Sequence, residues 1–370
     1  MSLCRNGIAM ITERTVYSPK PGKLDEVLAT RRRASEIRRE IGLRPGEISL
    51  ESDVDGNPAR IQWQCAFPDE AAHKADLDAR AASPEFEAIR KTMTGLIDNF
   101  ERQVLRALPM RNSRLSPQLM AGRSIVPEEV RFPSHGRELA GFLFRPPGQG
   151  PFPLMVANHG SSIAQGTQDL CRPSVAALLM SWGVASFLPH RRGYGNSPGT
   201  PWREDVSAEY GTDAYDDQLA ARLDAESDDV VAARAWVAEQ PGIDPDHIGV
   251  MGSSFGGTNT LFAAAKEPKF RCAVEFAGAA MNWDRTPNLR KVMHEAASRL
   301  TQPTFFIQAA NDYSTRPTTE LAEGLAGGSV PIRSRVYPSH GLSRDEGHFL
   351  YRDGTLVWGP DVRDFLEEYL

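Results

Sequence analysis

Several protein classes are excluded by what this chain lacks. It has four cysteines, Cys4, Cys65, Cys171 and Cys272, with no C-x-x-C spacing among them. A disulfide scaffold is therefore not expected, and reduced thiols in a cytoplasmic protein are the simplest reading. The eight histidines include no H-x-x-x-H pair in a helical pattern, so no metal centre is expected. No apolar run approaches the roughly eighteen residues that a membrane span needs. The first residues, Met1-Ser2-Leu3-Cys4-Arg5-Asn6, lack the apolar core of a secretory leader. Positive charge is not in excess. The formal net charge of -6 gives no general attraction to nucleic acid or anionic membrane.

The features that are present centre on Gly252-Ser253-Ser254-Phe255-Gly256, a G-x-S-x-G pattern. The apolar run Ile248-Gly249-Val250-Met251 precedes it, and helix formers up to Ala265 follow. Strand, tight turn and helix form the context of a nucleophile elbow, which exposes the Ser254 hydroxyl. Flanking glycines suit such a turn because side chains would crowd it. The N–H of Phe255, at the helix start, then faces any negative charge forming beside Ser254. In a chain with 31 glycines the pattern alone is weak, because a strand-to-helix turn with a capping serine gives the same letters.

The 370 residues suffice for one large core and a second domain. Residues 1–108 read as the smaller unit. A strand is expected from Gly7 to Tyr17, then a helix opened by Pro21-Gly22 and closed near Gly42. Its arginines, Arg31, Arg32, Arg33, Arg38 and Arg39, read as a solvated face balanced by Glu26, Glu36 and Glu40. Ala59, Ile61, Trp63, Cys65 and Phe67 alternate as one strand face after the turn Asp55-Gly56. Ser83-Pro84 opens another helix. The stretch from Phe100 to Leu108 reads equally as its extension or as a last strand. The order β-α-β-β-α, with that possible last β, is ferredoxin-like.

Met10-Ile11-Thr12-Glu13-Arg14, Lys20-Pro21-Gly22-Lys23-Leu24, the Trp63 strand and Ser83-Pro84-Glu85-Phe86 resemble the dimeric α+β barrel superfamily, especially NIPSNAP-like domains. That resemblance implies a homodimer or higher even oligomer built through this unit. Some members of the superfamily bind haem. The unit's single histidine, His73, lies in a polar helical stretch and gives no support to a haem site, so no cofactor is expected.

Residues 109–124 read as a linker, rich in proline, glycine, serine and arginine. Residues 125–370 read as a doubly wound α/β domain. Near-continuous apolar runs at 154–157, 184–188, 248–251, 272–276 and 304–308 alternate with helical stretches. Such strands belong to a mostly parallel sheet covered on both faces.

A serine nucleophile needs a base, and the base needs an orienting acid. Asp312 follows the run at 304–308, and His348 lies further on in Gly347-His348-Phe349. The order Ser, Asp, His at strand ends is that of the α/β-hydrolase class. His340 is the rival base, and Asp284 and Asp345 are lesser candidates for the acid. His159-Gly160-Ser161-Ser162 follows the first parallel run, so the Ser161 N–H is expected to join that of Phe255 in an oxyanion hole. Together with Arg192-Gly193-Tyr194-Gly195, these motifs resemble the α/β-hydrolase superfamily near its dienelactone hydrolase and prolyl-oligopeptidase-like branch. A serine replaces the cysteine of true dienelactone hydrolases, and the small α+β unit is nothing like the N-terminal β-propeller of prolyl oligopeptidases. The resemblance therefore implies a serine carboxylesterase acting on a small-molecule ester. A peptidase or amidase of the prolyl-oligopeptidase-like type and a non-catalytic dimeric binding protein on a hydrolase core are the alternatives.

Overall fold

The computed structural model describes residues 11–53, 55–56, 58–106, 114–163, 165 and 171–370. The start of the expected first strand, before Ile11, lies outside the described residues. The chain forms two compact units, one of residues 1–110 with 116–121 and one of 111–115 with 122–370.

The first unit runs β1 (Ile11–Pro19), α1 (Leu24–Glu40), β2 (Glu47–Ser52), β3 (Pro58–Phe67), α2 (Glu70–Ala81), α3 (Pro84–Leu96) and β4 (Ile97–Arg106). Its strands form one antiparallel sheet in the order β2-β3-β1-β4, compatible with a ferredoxin-like arrangement. The ambiguous stretch is thus a strand, paired along β1 from Ile11↔Arg106 to Pro19↔Ile97. Alternation along β3 buries Ile61, Trp63, Cys65 and Phe67, whereas Ala59 is exposed. Ser83 caps α3 by accepting from the Phe86 N–H at 3.1 Å.

Charge enters this core in a way that helical spacing did not reveal. Arg33 is exposed and pairs with Glu36 and Glu40, as a solvated face should. Arg31 and Arg38 are instead buried, with their guanidiniums 4.9 and 4.8 Å from the Trp63 ring centre. Arg38 pairs with buried Asp76 at 2.5 Å. Breaking such a pair from one side typically costs about 3–5 kcal/mol, because the other charge stays buried. His73 is buried as well, with Nε2 bonded to Glu13 at 2.8 Å. Burial raises the Glu13 pKa. Arg80, His73 and Arg102 outweigh it, and the carboxyl is held below its usual range.

The second unit runs β5 (Glu128–Ser134), β6 (Arg137–Phe144), β7 (Phe152–Asn158), α4 (Pro173–Ser181), β8 (Ala185–Pro189), α5 (Trp202–Asp205), α6 (Asp213–Val237), β9 (Ile243–Ser253), α7 (Phe255–Lys266), β10 (Ala273–Phe276), α8 (Pro287–Ser298), β11 (Thr304–Ala309), α9 (Arg316–Gly324), β12 (Ile332–Tyr337), α10 (Arg344–His348), α11 (Leu350–Asp353) and α12 (Thr355–Tyr369). The described strands form one sheet in the order β12-β11-β10-β9-β7-β8-β6-β5. From β8 to β12 every pairing is parallel, and β6 is antiparallel to both its neighbours.

The apolar runs are buried because both faces are covered. Successive residues of a strand point to opposite faces. Phe305 of β11 meets Phe365 of α12 at 5.5 Å, while Phe306 joins the core formed with Leu261 of α7 and Leu289 and Met293 of α8. Among the described residues no helix is long and apolar enough to cross a membrane.

Candidate active site

In the parallel part of the sheet the C-terminal strand ends share one edge, where ligands bind in open α/β sheets. Ser254 follows β9, Asp312 follows β11, the Ser161 loop follows β7, and His348 follows β12.

Ser254 has φ 61° and ψ −125°, a conformation that a non-glycine residue adopts at a cost of about 1–3 kcal/mol. The surrounding packing enforces it. A Cβ at Gly252 would stand 2.5 Å from the Gly256 carbonyl oxygen, and one at Gly256 would stand 2.6 Å from that of His159. Only glycine fits at either position. The Ser254 N–H donates to the Phe276 carbonyl of β10 at 3.0 Å. Phe255 is the first residue of α7, so its N–H has no acceptor within the helix.

The loop after β7 lies against this turn. A Cβ at Gly160 would stand 3.3 Å from Ser254 Cβ and 3.8 Å from its Oγ. Half-buried Ser161 is the next residue. His159 is buried, with Nδ1 donating to the Gly160 carbonyl at 2.7 Å and Nε2 accepting from the Arg191 N–H at 3.3 Å. Burial first, and then the Arg191 charge, push its pKa well below the usual value. Its ring is thus a neutral brace.

Asp312 and His348 are brought together. The Nδ1–H of His348 donates to Asp312 Oδ1 at 2.9 Å, and both side chains are buried. Asp312 Oδ2 accepts from Gln308 at 2.9 Å, and Oδ1 also accepts from the Tyr313 N–H at 2.6 Å. A carboxylate on Nδ1 fixes the tautomer and leaves Nε2 as the acceptor. That Nε2 is buried and has no hydrogen-bond partner among the described residues. The other candidates are engaged elsewhere. Asp284 pairs with Arg316, Asp345 accepts from the Tyr313 hydroxyl, and His340 is tied through its backbone to Asn311. Among the described residues no group of three or more acidic, histidine and cysteine side chains is arranged to hold a metal ion.

Similarity to known proteins agrees with this frame. The Pyrococcus horikoshii acylaminoacyl peptidase superposes with a TM-score of 0.51 at 16% identity, covering 68% of this chain and 42% of that one. The dipeptidyl peptidase 4 of Porphyromonas gingivalis gives 0.50 at 18% identity, covering 67% of this chain and 36% of that one. The second unit has the α/β-hydrolase fold. Residues 172–287 of this α/β-hydrolase unit, Ser254 among them, match the prolyl oligopeptidase family. In sequence the chain is 25% identical over 228 residues to a polyketide transferase of Penicillium, covering 59% of this chain and 70% of that protein. It is 28% identical over 139 residues to a thiohydrolase of Aspergillus aculeatus, covering 38% of this chain and 37% of that protein.

The loop at 190–199 anchors the α/β-hydrolase unit by buried charge. Arg191 pairs with Glu226 at 2.8 Å, Arg222 with Glu226 at 2.7 Å, and Arg192 with Asp229 at 2.7 Å. Trp202 packs edge-on against Phe255 at 5.0 Å, and the Tyr210 hydroxyl donates to the Met281 carbonyl at 3.1 Å.

Asn311, beside Asp312, has a positioning role that the sequence did not reveal. Its Nδ2 donates to the carbonyls of His340 at 3.0 Å and Ser343 at 2.8 Å, while Oδ1 accepts from the His340 N–H at 2.9 Å. These bonds tie the loop that carries Asp312 to the loop that leads to His348. Asn311→Ala removes all of them. The His340 amide should then lose about tenfold in hydrogen-exchange protection, the equivalent of one net hydrogen bond. Unchanged exchange at His340 would mean that the two loops are held together by other contacts.

Proposed function

We propose that the chain is a serine hydrolase that cleaves carboxylic esters, with Ser254 as nucleophile, His348 as general base and Asp312 as the acid that orients it. One observation carries this reading. The Asp312–His348 bond leaves a buried imidazole acceptor, Nε2, at the same sheet edge as a serine in a strained strand-to-helix turn.

In the first step His348 Nε2 takes the Ser254 hydroxyl proton as Oγ attacks the ester carbonyl carbon. Negative charge moves to the carbonyl oxygen, to which the N–H groups of Ser161 and Phe255 donate. Asp312 stabilises the imidazolium. The adduct collapses, the alcohol leaves with the proton from His348, and the acyl group stays on Ser254. Water then attacks the acyl carbon, giving its proton to His348; the bond to Ser254 Oγ breaks, His348 returns the proton to Oγ, and the acid is released.

Amide or peptide cleavage is the second reading, favoured by the match to the prolyl oligopeptidase family. Parallel assays of short p-nitrophenyl esters and aminoacyl anilides separate the two. Ester turnover should dominate. In the same assay Ser254→Ala should lower turnover by about a millionfold, the usual loss for a triad nucleophile. His348→Ala should be similarly silent and His340→Ala active. A Ser254→Ala protein with a tenth of wild-type activity, or a silent His340→Ala protein, would refute these assignments.

We further infer that the first unit pairs copies of the chain into a homodimer or higher even oligomer, with the chemistry complete in each subunit. Strand β4 lies at the edge of its sheet and exposes Phe100, Val104 and Leu105 at 48, 41 and 46%. An open edge that exposes these three apolar side chains calls for a cover, and two-fold pairing is the commonest. The other face of β3, with Arg60, Gln62, Gln64 and Ala66, is half-buried and suits a wet contact. Light scattering should give an even multiple of the chain mass. A monomer at micromolar concentration contradicts this.

A further inference from the structure

Behind the elbow lies a buried carboxyl that these steps do not use. Strand β10 reads Ala273-Val274-Glu275-Phe276, and Glu275 is only 1% exposed. Burying an acid there is costly unless it is paired or neutral. In register it faces Gly252 of β9 and Phe306 of β11, so neither neighbouring strand meets it with a charge. Toward α7 it meets backbone, since a Cβ at Gly257 would stand 2.5 Å from Glu275 Oε1. That Oε1 accepts from the Gly278 N–H, and Oε2 has no partner among the described residues. The charge that acts on it is Asp312, beyond the end of β11. Burial chiefly, with Asp312 adding and the Gly278 N–H opposing, pushes the carboxyl up to about 8.

The turn that Glu275 holds is itself strained. Ala277 has φ 54° and Ala279 φ 56°, both in the left-handed region that side chains disfavour. At its start, Phe276 accepts from the Ser254 N–H, and the Ala277 N–H donates to Ile307 at 3.1 Å. A Cβ at Gly278 would stand 3.0 Å from the Thr258 nitrogen, so the turn packs directly on the first turn of α7.

We infer that Glu275 is a positioning residue, whose carboxyl clamps the 277–279 turn against the start of α7 and so fixes the backbone of Ser254 and Phe255. The inference rests on the hydrolase reading above. Ionising Glu275 sets an unpaired second negative charge in the interior behind the elbow, repelled by Asp312, so turnover should fall as pH rises through about 8.

The test compares wild type with Glu275→Gln and Glu275→Leu. Glutamine keeps the acceptor for Gly278 and cannot ionise; leucine keeps the bulk and loses the bond. Glu275→Leu should lose about tenfold or more in kcat with KM little changed, and Glu275→Gln should recover most of that loss. Wild-type turnover should decline between pH 7.5 and about 9.5, and that of Glu275→Gln should not. Melting gives a readout free of activity. The folded chain keeps the acid protonated to about pH 8, whereas the unfolded chain ionises it near the model-compound value of 4.5. Stability from this group therefore falls as pH rises between those values and is constant above them. The Tm of Glu275→Gln should gain on wild type from pH 5.5 to 8 and then run parallel. Identical pH profiles and parallel Tm curves for wild type and Glu275→Gln, or a fully active Glu275→Leu protein, would overturn the inference. If wild type hydrolyses no ester at any pH, the hydrolase reading fails, while the Tm curves still judge the clamp.

Discussion

How closely two backbones cross at the centre of the sheet governs the candidate site. The end of β7 runs against the turn between β9 and α7 at distances that admit no side chain at Gly252 or Gly256. That contact forces Ser254 into a left-handed conformation and brings Gly160 against its Cβ. The residues next along the chain, Ser161 after Gly160 and Phe255 after Ser254, thus follow directly from the two backbones that cross. A single extra methyl group at Gly256 would push on the backbone of His159 and dismantle this arrangement.

Buried charge secures the elements around that crossing. Arg191 leaves the loop after β8 to meet Glu226 of α6, and Arg222 of the same helix shares that carboxylate. The Arg191 amide then satisfies Nε2 of His159, whose imidazole is kept neutral by burial and by the Arg191 charge. The first unit uses the same device independently, with Arg38–Asp76 inside its core and the buried Glu13 carboxylate held by Arg80 and the exposed Arg102. Pairs of this kind add little net stability over apolar packing, but removing one partner leaves a buried charge and is costly.

Much of the fold was legible because apolar continuity, glycine and strand order are direct consequences of packing. The runs at 154–157, 248–251 and 304–308 read as buried strands, and they lie in β7, β9 and β11. Asp312 and His348 were readable as residues after strands, and they meet. What stayed hidden involves polar groups in the interior. Arg31 and Arg38 sit at helical spacing among glutamates, so they read as surface, and only the fold sets Trp63 beneath them. Glu275 is a lone acid in an apolar tetrapeptide, and Asn311 sits beside the more conspicuous Asp312. Their roles come from partners dozens of residues away or from a turn with no sequence signature. Residues 97–106 were ambiguous because their polarity fits an exposed edge strand and a solvated helix equally well.

The central claim is that Ser254 is a nucleophile activated by the Asp312–His348 pair. Treating the full chain with a fluorophosphonate and locating the adduct by peptide mass spectrometry tests it most directly, because only an activated serine phosphonylates readily. One adduct per chain is expected, on the peptide containing Ser254, and it should disappear when His348 is replaced by alanine. Labelling at another residue, no labelling, or undiminished labelling of the His348→Ala protein would contradict it.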